Sequence, residues 1–275
     1  MSELTAAPPL SRQTVTTRRG ITCEVLTGQP ASGQAEASVV SFHGAAGHLG
    51  GEPMLAELAT RFAVFAPVWP GYGEAGGEEL IEDMQDFALH GADVVDALDL
   101  SRPHLIGHSM GGMIAAEMAA AAPRDYGRVV LIAPLGLWLD DSPVPDIYSL
   151  LPFEFPPLLF HDAAAGTALM AGGLDFNDTE AIKTFLIGNS RRLGTAGKIL
   201  FPIPDRQLSK RIYRITNPTL LVWGDDDRYL PMAYAAEWQR LITGARLEVT
   251  ADAGHMAPYE RPAEIASVVA QFLTS

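Results

Sequence analysis

The sequence lacks several features that would place it in common functional classes. Cys23 is its one cysteine, so no disulfide can form within the chain. Its 19 basic residues are outnumbered by 33 acidic residues, and the formal net charge of −14 argues against binding to a nucleic-acid backbone. No cysteines and histidines stand at the spacing of a zinc site. We therefore predict no nucleic-acid partner, no metal and no cofactor.

Long apolar runs are also missing. No stretch of about 18 consecutive apolar residues occurs, so no membrane-spanning helix is expected. The first ten residues lack a basic region followed by an apolar core, which a signal peptide would require. These absences predict a cytoplasmic protein without a membrane partner, and we expect a monomer or homodimer acting on a small molecule.

What the chain does contain is a regular alternation of apolar strands and helices. Hydrophobic residues make up 48% of the 275 positions, enough for a large core. The alternation predicts an α/β fold with a mostly parallel sheet that helices cover on both faces. Strands are expected near residues 14–18, 21–26, 37–42, 62–66, 103–106, 128–133, 217–224 and 245–249, and helices from Pro53 and over 79–98 and 113–122.

This alternation breaks between residues 135 and 217, which are rich in proline and aromatic side chains. Residues 150–160 hold too many prolines for a central strand. Helices are expected near residues 161–171, 178–187 and 191–199. The aromatic side chains of this segment either line an apolar pocket or form a small core of their own, and they are Trp138, Phe153, Phe155, Phe160 and Phe201.

A nucleophile motif lies in the first half of the chain. Residues 107–112 read Gly-His-Ser-Met-Gly-Gly, a G-x-S-x-G pentapeptide between an expected strand and an expected helix. Such a turn exposes the hydroxyl of Ser109 beside the N–H groups of a helix N-terminus. We predict that Ser109 is a nucleophile.

A serine hydroxyl needs a base, and the base needs a carboxylate to orient it. Both follow Ser109 in the sequence. His255 comes shortly after the strand near 245–249, and Asp225, Asp226 and Asp227 end the strand near 217–224. The strand ends bring these side chains to one edge of the sheet, and three aspartates remain open as the acid.

Together these motifs resemble the α/β-hydrolase superfamily along nearly the whole chain. The matching residues are His43-Gly44, Gly107 to Gly112, Trp223-Gly224-x-x-Asp227 and Gly254-His255. The resemblance implies an α/β-hydrolase fold, a mostly parallel twisted sheet flanked by helices. Its core is expected to comprise residues 1–134 and 218–275, with a helical cap at residues 135–217 inserted after the strand ending near Ala133.

The resemblance also implies residue roles. The family's acid lies three residues after the glycine that corresponds to Gly224, which selects Asp227. The oxyanion of the reaction would accept hydrogen bonds from the backbone N–H groups of Ala45 and Met110. Substrate contacts are expected from His43, Gly44, Trp138, Phe153, Phe155 and Met256.

The implied activity is hydrolysis of small to medium apolar carboxylic esters through an acyl-enzyme. The alternative is a carbon–carbon bond hydrolase of the meta-cleavage type. Such relatives hold a substrate carboxylate with a cap arginine, here Arg191 or Arg192, but often carry tryptophan where this chain has Met256. Lactonase, cofactor-free peroxidase and slow-turnover receptor functions are further alternatives.

Overall fold

The structure is a computed structural model that describes residues 9–175 and 177–275. Its strands form one eight-stranded sheet in the order β1-β2-β4-β3-β5-β6-β7-β8. The pairs β1–β2 and β2–β4 are antiparallel, and every other pair is parallel. The strands are β1 (Ser11–Thr16), β2 (Thr22–Gly28), β3 (Ser38–Phe42), β4 (Ala63–Pro67), β5 (His104–His108), β6 (Val129–Ile132), β7 (Thr219–Gly224) and β8 (Arg246–Thr250).

Helices cover both faces of this sheet, which confirms the predicted α/β architecture. They are α1 (Pro53–Leu58), α2 (Met84–Ala97), α3 (Met110–Ala121), α4 (Phe155–Leu159), α5 (Ala163–Ala171), α6 (Thr179–Leu200), α7 (Met232–Leu241), α8 (Ala257–Glu260) and α9 (Pro262–Thr274). No helix within the described parts of the chain is both long enough and apolar enough to cross a bilayer.

Two apolar layers hold the helices against the sheet. On one face, α1 and α9 pack on the sheet through side chains such as Leu55, Leu58 and Val269. On the other face, α2, α3 and α7 contribute Phe87, Ile114 and Trp238 among others. The central strands are buried on both faces, which explains why they read as continuous apolar runs rather than as alternating patterns.

The segment between β6 and β7 carries α4, α5 and α6. Its base joins the larger apolar layer through buried residues of α4 and α6, including Leu159, Ala196 and Ile199. Helix α5 begins at Ala163, where the Asp162 carboxylate accepts hydrogen bonds from the N–H groups of Ala164 and Ala165.

Several predicted boundaries are wrong. Residues 178–187 and 191–199 belong to one continuous helix, α6, because its buried C-terminal face holds it against the core. The helix expected over 79–98 begins only at Met84, where Asp83 caps it, and a 3₁₀ turn covers Glu78–Leu80. Strand β1 lies at Ser11–Thr16 rather than 14–18, and residues 1–8 of the expected N-terminal arm lie outside the described residues.

Candidate active site

Ser109 occupies a sharp turn between β5 and α3. Its backbone φ of 56° lies in the left-handed region, which is strained for a residue with a side chain. The turn is held by the Ser109 N–H, which donates to the carbonyl of Ile132 at 2.9 Å, and by the Ser109 carbonyl, which accepts from Leu135 at 3.1 Å. A β-carbon at Gly107 or Gly111 would lie 2.4 or 2.1 Å from a backbone oxygen, so only glycine fits there.

The structure brings the side chains of Ser109, His255 and Asp227 into one hydrogen-bonded line. His255 Nε2 lies 2.8 Å from the Ser109 hydroxyl, and His255 Nδ1 lies 2.9 Å from Asp227 Oδ2. All three residues are buried. Because the carboxylate accepts from Nδ1–H, Nε2 has its lone pair free to accept the serine proton.

Asp227 differs from its two neighbours in the same loop. Its second oxygen, Oδ1, accepts hydrogen bonds from the backbone N–H groups of Tyr229 at 3.0 Å and Leu230 at 2.7 Å. The Asp226 carboxylate instead pairs with the side chains of Arg228 and His161, and Asp225 is exposed. Of the three aspartates, Asp227 is the one that contacts His255.

The loop after β3 packs directly on the serine turn. A β-carbon at Gly44 would lie 3.1 Å from the β-carbon of Ser109. His43 holds this loop from behind: the Trp69 N–H donates to its Nε2 at 3.1 Å, so Nδ1 carries the proton and donates to the Gly44 carbonyl at 2.8 Å. Burial lowers the pKa of His43 well below its ordinary range, so the ring is neutral.

The hydrogen bond from His43 to the Gly44 carbonyl also orients the N–H group of Ala45. The Gly44 carbonyl and the Ala45 N–H belong to one planar peptide and point in opposite directions. The hydrogen bond that sets the direction of the Gly44 carbonyl therefore also sets the direction of the Ala45 N–H. Within residues 9–175 and 177–275, neither the Ala45 N–H nor the Met110 N–H at the start of α3 donates to a protein acceptor. Two donors are thus available beside the Ser109 hydroxyl.

A hydrogen bond from His108 holds the loop that carries His255. His108 Nε2 lies 2.8 Å from the His255 carbonyl oxygen and must donate to it, so this side chain ties β5 to that loop. Burial, followed by the neighbouring His255, lowers the pKa of His108 to about 3, which keeps its ring neutral. His108 also lines the cavity that opens above Ser109.

A cavity of about 440 Å³ opens above Ser109 and His255. Its walls come from the loop after β3 on one side and from the segment between β6 and β7 on the other. They are mostly apolar, and they include Ala45, Ala46, Ile147, Phe153, Phe155, Leu159, Met170, Tyr229 and Met256. A cavity of this size and character suits a small organic ligand.

The predicted substrate contacts divide into two groups. Gly44, Phe155 and Met256 line the cavity, and so does Phe153, which is 72% exposed at its edge. Trp138 does not line it, because its indole N–H donates to Asp140 at 3.1 Å and its ring packs on the core. The His43 ring lies behind the loop after β3 and does not line the cavity.

Two more aromatic side chains also lie elsewhere. Phe160 is buried in the apolar layer, where its ring packs against Gly166. Phe201 is 54% exposed, and its ring packs edge-on against that of Tyr148 at 5.6 Å between centroids. Of the two expectations for these aromatic side chains, Phe153 and Phe155 meet the first by lining the cavity. Among the described residues the expected small core of their own does not form, because Phe160 and Trp138 pack on the main apolar layer.

The structure separates Arg191 from Arg192. Arg191 forms an ion pair with Glu78 and donates to the carbonyls of Gly73 and Ala75, away from the cavity. Arg192 lines the cavity and donates to the Ala46 carbonyl and to Asn189. Among the described residues no carboxylate pairs with Arg192, and burial lowers its pKa.

Sequence reasoning missed Tyr229. This residue follows Asp227 by two positions, lines the cavity and is only 4% exposed. Its ring lies edge-on to the His255 ring, with 4.9 Å between centroids. The sequence indicated only that Tyr229 lies close to Asp227. A loop has no periodicity from which the direction of a side chain can be predicted.

The loop that carries His255 is also tied to the segment between β6 and β7. The Met256 N–H donates to the Leu159 carbonyl at 3.0 Å. The Glu260 carboxylate accepts from the N–H of Gly254 at 2.7 Å and from that of His161 at 2.8 Å. These contacts fix the position of one wall of the cavity relative to His255.

Comparison with known proteins identifies the family of this chain. Residues 39–268 match the model of the alpha/beta hydrolase family. The chain is 28% identical over 196 residues to 2-hydroxy-6-oxo-6-phenylhexa-2,4-dienoate hydrolase of Comamonas testosteroni, a match covering 66% of this chain and 65% of that relative. The chain thus spans just under two thirds of the length of that relative.

Solved structures share the fold at low sequence identity. A membrane phospholipase A, described as a bacterial virulence factor, superposes with a TM-score of 0.78 at 22% identity over 97% of this chain and 86% of that one. An esterase from Rhodococcus sp. ECU1013 gives 0.74 at 20% identity over 96% and 99%. With the family match over most of its length, this chain belongs to the alpha/beta hydrolase family.

Proposed function

We propose that this protein is a serine hydrolase that cleaves small to medium, mostly apolar carboxylic esters through an acyl-enzyme. The observation that carries the proposal is the hydrogen-bonded line from Asp227 through His255 to the Ser109 hydroxyl, which ends in an apolar cavity. The two available N–H groups beside that hydroxyl support it further, because an ester carbonyl needs donors when its oxygen becomes an anion.

The proposed reaction uses these groups in sequence. His255 Nε2 takes the proton of Ser109 as its oxygen attacks the ester carbonyl, and Asp227 stabilises the imidazolium that forms. The N–H groups of Ala45 and Met110 bind the oxyanion. His255 then returns the proton to the leaving alcohol, and a water molecule, activated in the same way, releases the acid.

A second candidate is hydrolysis of a carbon–carbon bond next to a carbonyl. Arg192 favours it, because an arginine on an apolar cavity wall without a carboxylate partner suits a substrate that carries one. The relative from Comamonas testosteroni acts, by its name, on a dienoate, which is such a carboxylate. Arg191 is engaged by Glu78 and does not serve this role.

The two candidates are separated by substrate charge. We would measure kcat/KM on p-nitrophenyl butyrate, on its analogue with a terminal carboxylate and on a ring-fission dienone, in the wild type and in Arg192→Met. Because Arg192 also donates to the Ala46 carbonyl, its loss can disturb the loop after β3 and slow every substrate. The ratio between charged and uncharged substrates, rather than either rate, is therefore informative.

The ester proposal expects uncharged esters to be the best substrates and the ratio to stay constant in Arg192→Met. A selective loss of about 2 kcal/mol on charged substrates, together with fast cleavage of the dienone, would favour the second candidate instead. Arg191→Met is the matched control, since it removes a neighbouring arginine whose contacts lie outside the cavity.

A further inference from the structure

The Tyr229 side chain has a free hydroxyl in an otherwise closed setting. The ring is buried against His255, and the residue lines the cavity. Within the described residues the Tyr229 hydroxyl forms no hydrogen bond. It is not fully enclosed by protein atoms, so it keeps some accessible surface. Because the residue is only 4% exposed, the space that this hydroxyl reaches is the cavity.

Three other tyrosines differ in this respect, whereas the buried Tyr126 also has a hydroxyl without a partner among the described residues but does not line the cavity. The Tyr234 hydroxyl accepts from the Leu139 N–H and donates to the Ser142 carbonyl, and the Tyr148 hydroxyl donates to the Leu193 carbonyl. The Tyr259 hydroxyl donates to Glu52 at 2.7 Å. Because the Tyr229 hydroxyl opens on the cavity, a substrate that displaces water from it without accepting a hydrogen bond loses about 1–3 kcal/mol, which favours a substrate with an acceptor oxygen there.

The hydroxyl is suited to donate rather than to ionise. Burial raises the pKa of Tyr229 far above its ordinary range, and the nearby tyrosines and carboxylates act in the same direction. A neutral phenol offers a proton to an acceptor oxygen of the substrate. Its position beside His255 tells which part of the substrate it meets, because His255 returns its proton to the leaving group.

We propose that Tyr229 is a specificity-determining residue whose hydroxyl donates a hydrogen bond to a second oxygen on the leaving-group side of the ester. The preferred substrates are then esters of alcohols that carry an ether or hydroxyl oxygen close to the scissile bond. This inference rests on the proposed ester hydrolysis and adds to it the chemical class of the alcohol.

The test uses Tyr229→Phe and three esters of matched size. In 2-methoxyethyl butyrate the extra oxygen lies on the leaving group, in butyl methoxyacetate it lies on the acyl group, and butyl butyrate has none. We expect Tyr229→Phe to lower kcat/KM about tenfold on 2-methoxyethyl butyrate, the effect of one hydrogen bond. On the other two esters kcat/KM should stay within about twofold of the wild type.

Stability gives a second measurement. Because the Tyr229 hydroxyl has no protein partner, Tyr229→Phe should melt at or above the temperature of the wild type. Tyr234→Phe is the matched control: it removes a hydroxyl with two protein partners, so it should lower the melting temperature and leave the ratio between the three esters unchanged.

An equal effect of Tyr229→Phe on all three esters overturns the assignment, as does a fall in its melting temperature like that of Tyr234→Phe. A selective fall on butyl methoxyacetate overturns the leaving-group side. If the wild type shows no more turnover of these esters than Ser109→Ala does, the proposed function fails and this inference fails with it. Turnover that depends on Ser109, with unchanged ratios, overturns the Tyr229 assignment alone.

Discussion

The three consecutive aspartates after β7 have different surroundings although their side chains are identical. Asp227 is buried between His255 and two backbone N–H groups, Asp226 forms an ion pair with Arg228, and Asp225 is exposed. These contacts, rather than charge, give Asp227 its proposed role of orienting the base.

Substitution by asparagine tests this difference. The amide of Asp227→Asn can still accept the N–H groups of Tyr229 and Leu230 through its oxygen, but its NH₂ group would face His255 Nδ1 and favour the wrong tautomer. We expect kcat to fall on the order of 10⁴-fold on p-nitrophenyl butyrate. Asp225→Asn and Asp226→Asn should stay within a few-fold of the wild type, and a comparable loss in either would contradict the assignment.

The sequence alone predicts the position of a site residue when a backbone motif determines that position. Ser109 follows from its glycine-flanked turn, and His255 from the loop after a strand, because such motifs need particular residues at particular steps. Side-chain direction in a loop has no comparable rule. Trp138 and Tyr229 show this, since the first was expected in the cavity and lies elsewhere, and the second was not expected and lines it.

At the scale of elements, the turn between β5 and α3 depends on close backbone packing. A β-carbon at Gly111 would lie 2.1 Å from the Phe42 carbonyl oxygen at the end of β3. We expect Gly111→Ala to destabilise the fold by about 3 kcal/mol, because β3 and α3 would have to separate. The free energy of unfolding from urea titration measures the effect.

Gly188 in α6 is the matched control for this substitution. It is exposed, and a β-carbon there would meet no atom within 4 Å. Gly188→Ala should therefore stabilise the protein by about 0.5–1 kcal/mol through helix propensity alone. Equal stability of Gly111→Ala and Gly188→Ala would show that the turn does not need the close approach described.

Helix α6 also shows that the bounds of an element cannot always be predicted from its own sequence. Two helices were predicted, over residues 178–187 and 191–199, and Gly188 lies between them, where its low helix propensity costs stability. The packing of Ala196, Ile199 and Leu200 against the core outweighs that local cost, and this tertiary contact cannot be read from the sequence of the segment. Strands β3 and β5 to β7 were predictable because burial on both faces leaves a continuous apolar run.

At the scale of the whole molecule, buried neutral histidines make the folded state less stable as the pH falls. His90 is fully buried, and both of its ring nitrogens lack partners among the described residues. Burial lowers the pKa of His90 to about 4, whereas an unfolded histidine titrates near 6.5. The unfolded chain therefore binds a proton that the folded chain does not, and stability present above pH 6.5 is lost as the pH falls.

We expect the contribution of His90 to reach roughly 3 kcal/mol of lost stability by pH 4. Chemical unfolding of the wild type and His90→Leu at several pH values between 4 and 7.5 measures it. The curve of His90→Leu should be flatter by that amount and should not lie lower at pH 7.5. Parallel curves for the two proteins would show that His90 does not carry the effect.

The mostly parallel sheet and the position of the site at the carboxyl ends of β3, β5, β7 and β8 follow from the alternation of strands and helices. The shape of the cavity does not, because it depends on how α4 to α6 lie over that edge. We expect the substrate to be selected by this part of the molecule, and so the reaction class is easier to infer than the substrate.

The central claim is that Ser109 is the nucleophile of an acyl-transfer reaction, and covalent labelling tests it most directly. The protein would be treated with a fluorophosphonate, its turnover of p-nitrophenyl butyrate followed, and the modified peptide identified by mass spectrometry. We predict one adduct per chain, on Ser109, with activity lost in proportion to labelling. Ser109→Ala should fold normally, take no adduct and lose on the order of 10⁴-fold or more of the activity. An adduct on another residue, or full activity in the labelled protein, would contradict the account.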